Sequence, residues 1–155
     1  MNTDSLEYAG FWVRVGAALI DTVLTVCVTL PLLIAIYGWS YFDASTGFVA
    51  GPADFLLSWV APAIAVVAFW LYKQATPGKM ALSVQVEDAN TGNTLTLGQS
   101  IGRYLGYFVS TIPFGLGLIW VAFDPKKQGW HDKLAGMVVV RSKNRGPEPV
   151  KFENA

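Results

Sequence analysis

The chain has 155 residues, 53% hydrophobic and 14% charged, with 11 Lys and Arg balanced by 11 Asp and Glu and a mean hydropathy of +0.41. A soluble domain carries about 25% charged residues, so this composition favours an integral membrane protein, and zero net charge gives no signal for nucleic acid. The single cysteine, Cys27, rules out an intrachain disulfide and reads as a small packing residue.

The first apolar segment, Phe11 to Tyr37, is long enough to cross a bilayer, which takes about 20 residues. It reads as a retained membrane helix rather than a cleaved leader, because Asp4 and Glu7 come first and Asp21 interrupts any apolar core. Trp12 at one end and Tyr37, Trp39 and Tyr41 at the other suit the two interfaces. Arg14 and Asp21 lie inside this span. Each ionised group costs roughly 2.5–3.5 kcal/mol at a helix centre. Their separation is about two helical turns, which places them on one face with ~10 Å of rise between them. A stripe of Gly10, Arg14, Ala17, Ala18, Asp21, Thr25 and Thr29 is expected to face protein. Arg14 can snorkel to the interface; Asp21 needs a donor, a cation or its own proton. The stripe is either an ion- or proton-handling site centred on Asp21 or a structural charge network.

A linker, Gly38 to Asp54, carries no Lys or Arg, and a second span follows at Phe55 to Tyr72, with Pro62 inside it. In Ala75-Thr76-Pro77-Gly78-Lys79, the Gly-Lys pair is not a phosphate-binding loop, because Met80 stands where Ser or Thr is needed. Gly78 reads as a turn. Ala81 to Glu87 alternates, Asn90 to Asn93 supplies turn residues, and Thr94 to Leu97 is expected to return as the second strand of a β-hairpin. Gly98, Gly102, Gly106 and Ser110 recur every four residues, the spacing of a helix-packing seam. Arg103 projects beside it, within reach of Asp21 or Asp132.

The third apolar region, Ile101 to Phe123, is broken at Pro113, Gly115 and Gly117. Then come a basic segment, Asp124 to Lys133, and a strand, Gly136 to Arg141, expected to pair within 81–97. The polar tail, 142–155, reads as disordered. Lys and Arg placement puts the Gly38–Asp54 loop outside and the hairpin and C-terminus on the cytoplasmic side. That requires Ile101–Phe123 to re-enter; a full third span is the alternative. His131 is the only histidine, and no Ser or Cys lies in a hydrolase context. No enzyme activity, metal or cofactor is expected.

Three elements taken together resemble the RDD family of small membrane proteins: Ala9-Gly10-Phe11-Trp12-Val13-Arg14 with Asp21, Thr76-Pro77-Gly78-Lys79, and Trp130-His131-Asp132-Lys133-Leu134-Ala135-Gly136. The resemblance covers Tyr8 to Arg141 as one domain. The family is named for one arginine and two aspartates, which match Arg14, Asp21 and Asp132; Met137 stands where threonine is usual. The resemblance implies a multi-pass inner-membrane protein. It also implies transport of an unidentified ligand, with some members looking like cation/proton antiporters.

The fold expected is therefore an all-α membrane protein with two clear spans, a broken third element and a small β element on the inner side. Its expected site is a charge cluster of Arg14, Asp21, Asp132 and Arg103, with one guanidinium serving two carboxylates. Two functions follow: a small secondary transporter handling a cation or proton, or a non-catalytic scaffold whose charges are structural. Either suits a homo-oligomer or a larger membrane partner in the lipid bilayer.

Overall fold

The computed structural model describes residues 6–43 and 49–142. A short strand, β1 (Leu6–Tyr8), leads into α1 (Phe11–Tyr37), which matches the expected first span at both ends and runs through Pro31. Gly38, at φ 69°, ends the helix in a conformation that suits glycine, and a 3-10 turn carries the aromatic residues to Phe42. The second span is a continuous helix, Pro52–Lys73, made of α2 (Pro52–Phe55), a π turn (Leu56–Val60) and α3 (Ala61–Lys73). The wide turn sits directly before Pro62, which has no N–H for the normal ladder. Both helices are long and apolar enough to cross a membrane. Only 6% of each apolar window is buried within the protein, so their hydrophobic faces are left exposed.

After α3 come α4 (Pro77–Ala81), β2 (Val84–Asp88), α5 (Leu97–Thr111), α6 (Leu116–Ile119) with a 3-10 turn to Ala122, α7 (Trp130–Leu134) and β3 (Met137–Ser142). The expected hairpin is only half present. No strand forms at Thr94–Leu97, because Thr96 is already the N-cap of α5. Its Oγ1 accepts the Gln99 N–H at 3.2 Å, and Gln99 Oε1 accepts the Thr96 N–H at 3.0 Å. The Gln99 amide also donates to Asp88, tying the helix start to the end of β2.

The partner of β2 is β3, antiparallel, with Val86 opposite Val139, so the expected pairing of Val138–Val140 with the 81–97 region is met by a single strand. The sequence reading did not include β1, which completes a sheet of order β1-β3-β2 and places Tyr8 opposite Val140. The fold is thus mostly helical with a three-stranded sheet, in which the third strand is β1 and not the expected return strand at Thr94–Leu97. One face of the sheet, carrying Val84, Val86, Met137 and Val139, packs against Ala9, Trp70 and Leu95; Leu6, Tyr8, Val138 and Val140 form the other. The polar tail expected from residue 142 begins inside β3; residues 143–155, including Lys143 and Arg145, lie outside the described residues.

The third apolar region is broken where Pro113 and Gly115 stand, and its two helical pieces are bent by 113°. Gly115 caps the break at φ 74°. The chain therefore leaves the sheet layer through α5 and returns to it through α7 and β3.

Three packing expectations are corrected. Gly98 and Gly102 have nothing within 4 Å of where a Cβ would sit; of the three glycines only Gly106 is in close contact, with a Cβ there 2.9 Å from the His131 Cα. The buried stripe of α5 is Ser100, Arg103, Gly106 and Ser110, following the 3.6-residue helix turn rather than strict steps of four. Cys27 is exposed, not packed. Thr25 is exposed as well, its hydroxyl donating to the Asp21 carbonyl at 2.8 Å. A threonine that satisfies itself on its own helix needs no protein partner.

Candidate functional site

Asp132 is wholly buried on the five-residue α7, where its Oδ2 accepts the Gly129 N–H at 3.1 Å. That oxygen also takes the Arg14 guanidinium from α1. Its Oδ1 lies 2.9 Å from Nη2 of Arg103 on α5 and 3.4 Å from Nε2 of His131. The Arg103 contact is Coulombic rather than a directed hydrogen bond. One carboxylate therefore serves two guanidiniums, the reverse of the arrangement expected from the sequence. Arg14 spends its remaining nitrogens on main-chain carbonyls, Ala9 at 3.1 Å and Lys127. The cluster joins the start of α1, the middle of α5 and the α7 turn that leads into β3.

Burial works against ionising Asp132, but Arg103 and Arg14 overcome it and hold its carboxyl well below the usual range. His131 stacks on Tyr107, with ring centroids 4.1 Å apart, and its Nδ1 lies 3.2 Å from the Ser110 hydroxyl. Burial lowers His131 to about 4, with the Asp132 attraction opposing, so the ring is neutral at physiological pH.

Asp21 does not join the cluster. Its Oδ1 accepts the Gly78 N–H at 2.7 Å and its Oδ2 accepts the Thr76 hydroxyl. The carboxylate thus serves as a remote cap for α4, where Thr76 is N-cap and Pro77 the first helical residue. Gly78 is not needed for a turn, as the sequence suggested, but for close approach. A Cβ there would collide with the Ala17 carbonyl and lie 2.9 Å from Asp21 Cγ. Sequence reasoning missed Thr76 as a partner. A Thr-Pro pair opening a helix was the available signal; that its orphan donors would find Asp21 was a long-range fact.

Beside these groups lies a cavity of about 700 Å³, walled by α1, α3 and α5. Arg14, Lys79 and Arg103 line it against one carboxylate, Asp21. The Arg103 guanidinium sits 4.9 Å from the Trp70 ring centroid and 5.7 Å from that of Tyr107, and the Lys79 ammonium 5.5 Å from Trp70. Burial, and then the Arg103 charge, lower Lys79 to about 7. Lys79 and Trp70 were not foreseen as site residues.

Residues 8–136 match the model of the RDD family. The chain belongs to the RDD family. Its relatives include a Bacillus subtilis protein, YxaI, 32% identical over 85% of this chain and 96% of its own length. Another is the Bacillus subtilis membrane protein YteJ, 30% identical over 88% of this chain and 82% of its own length. A Rickettsia prowazekii protein, RP437, is 43% identical over 49% of this chain, a stretch covering 42% of that relative. All three carry the word uncharacterized in their names. No solved structure matches. This RDD membrane protein places Arg14 and Asp132 in one ion pair and gives Asp21 separate partners.

Proposed function

We propose that this RDD protein is a non-catalytic membrane module in which Asp132, Arg14 and Arg103 form a structural lock. The observation that carries this reading is the pairing of Asp132, without exposure, to guanidiniums from two different helices. Such a carboxylate is too strongly held to exchange a proton or cation at working pH. The other acid has structural partners of its own, since both Asp21 oxygens accept hydrogen bonds from α4 and its cap. As a scaffold, the protein presents its sheet layer and its open α5 face to a second copy or a larger membrane partner.

The same geometry supports a topology. Pro52–Lys73 and the stretch of α1 beyond Asp21 cross the bilayer. Thr76 reaches Asp21 only three residues after α3 ends, so the first third of α1 lies beside the inner layer and Asp21 marks its boundary. β1 precedes the first span, β2 follows the second and β3 follows the bent pair, yet all three share one sheet. Two crossings return the chain to its starting side, so α5 and α6 re-enter rather than cross. Lys73, Lys79, Lys126, Lys127 and Lys133 then collect on the sheet side, the cytoplasmic side by the positive-inside rule.

Proton and cation flux in proteoliposomes tests the reading against exchange. Wild type and Asp21→Asn are expected to leak no more than empty vesicles. Flux in wild type that Asp21→Asn abolishes would establish the carrier instead.

A further inference from the structure

The lock leaves donors over. Arg103 is 1% exposed, yet its Nε and Nη1 have no hydrogen-bond partner, and neither has the Trp70 indole N–H. No carboxylate pairs with Lys79 among the described residues. All three side chains line the cavity. Buried N–H groups left without acceptors are costly and rare, and here they gather around a single carboxylate, Asp132, that two guanidiniums already share. The acids that could balance them are spent, Asp132 on the two arginines and Asp21 on α4. A cation would meet a positive field, whereas oxygen atoms carrying negative charge match the charge of this end of the cavity.

The rest of the cavity has different chemistry. Its walls are Phe11, Val15, Val66, Tyr104, Phe108 and Ile112, and it extends along α1 from Phe11 to Thr22, about 16 Å by helical rise. Its volume lies within the roughly 300–1,000 Å³ of ordinary ligand sites. The α1 and α3 faces bordering it are exposed apolar surface. One polar end rich in donors and one long apolar trough describe a ligand with a charged head and a hydrocarbon tail.

We infer that the cavity binds an anionic amphiphile, a lipid-like molecule whose phosphate or carboxylate head meets Lys79, Arg103 and Trp70 and whose tail lies between α1 and α5. The inference rests on the structural reading of the lock, which keeps the cavity open and commits Asp132 elsewhere.

The test is titration of the purified full chain, freed of lipid in neutral detergent, followed by native mass spectrometry. Three probes are compared: lysophosphatidic acid, lysophosphatidylcholine with the same tail, and inorganic phosphate. Lysophosphatidic acid is expected to saturate one site and to bind at least about tenfold tighter than the zwitterion, the size of one charge-assisted hydrogen bond. Inorganic phosphate should not bind. Lys79→Met, which lies outside the lock, should weaken lysophosphatidic acid about tenfold on the same grounds. Ala18→Trp, which fills the trough without touching the head site, should weaken it too. Unfolding temperatures of both variants confirm that they remain folded; if one does not fold, the other and the probe comparison still decide. Equal binding of the two lipids, or no effect of Lys79→Met, would overturn the anionic head site. Phosphate binding as tightly as the lipid, with Ala18→Trp silent, would overturn the tail. The lock fails separately, through the coupling of Arg103 and Asp132 measured without lipid.

Discussion

At the scale of single residues, the chain divides its charges between two independent sets of partners. Asp132 balances two guanidiniums, so its removal leaves both without their anion, one of them fully buried. Removing Arg14, which is 11% exposed, leaves Arg103 to hold the carboxylate. Asp132→Asn is therefore expected to cost more stability in detergent than Arg14→Gln, on the order of 3–5 kcal/mol for an uncompensated buried charge. Asp21 shares no partner with that set. The losses of Asp21→Asn and Asp132→Asn should add within about 0.5 kcal/mol in thermal unfolding, and a larger coupling would mean that they act as one cluster. His131 contributes a pH dependence of definite sign. Its folded pKa of about 4 lies below the ordinary 6.5, so between these values the unfolded chain binds a proton that the fold refuses. Stability is then complete above 6.5 and is lost as pH falls toward 4. Glu87, raised by burial, acts in the opposite sense above its ordinary 4.5, so the comparison is between proteins rather than along one curve. The deficit of His131→Asn against wild type should narrow as pH falls through this window; a constant deficit would contradict a neutral, buried ring. Arg14, Asp21 and Arg103 stood out in the sequence because charge within apolar segments is conspicuous, whereas Asp132, in a polar segment, stood out only through the family resemblance. Which acid met which base was not, because α7 and α4 arrive from distant positions in the chain.

At the scale of elements, legibility followed length. The first span was readable end to end because a mostly apolar run of 27 residues leaves no other interpretation. The three-residue β1 was not, since Leu-Glu-Tyr has too few positions to show a period. The false return strand at Thr94–Leu97 came from weighing the Asn90–Asn93 turn above Thr96-x-x-Gln99, a capping box present in plain sequence. The glycines of α5 show where spacing misleads. Small residues every four positions suggested one seam, but a seam follows the buried face, and only Gly106 lies in close contact on it. This gives a contrast to measure by thermal unfolding. Gly78→Ala should destabilise by about 1–3 kcal/mol, the usual cost of overpacking, because its Cβ meets the backbone of α1. Gly102→Ala, open to its surroundings, should be neutral or stabilising by up to about 1 kcal/mol from helix propensity. Equal losses at the two positions would put Gly102 in a packed interface.

At the scale of the whole molecule, one sheet gathers strands from before the first span, after the second and after the bent pair, and this closure sets the proposed topology. Single cysteines in a Cys27→Ala background check it. Cysteines at Asn90 and Leu134 should label from the same side, and one at Ser40 from the other. Opposite labelling of Asn90 and Leu134 would make 97–122 a full third span. The closure depends in turn on the ion cluster, which pins α1, α5 and the approach to β3 together. The most direct test is a double-mutant cycle on the buried pair Arg103 and Asp132, read as unfolding free energy in detergent without added lipid. If the lock holds the fold, Arg103→Gln and Asp132→Asn are each strongly destabilising, and the double variant recovers at least about 1 kcal/mol of their summed loss. Losses that add within about 0.5 kcal/mol would show that the two residues are not coupled and that the charges do not hold the fold together.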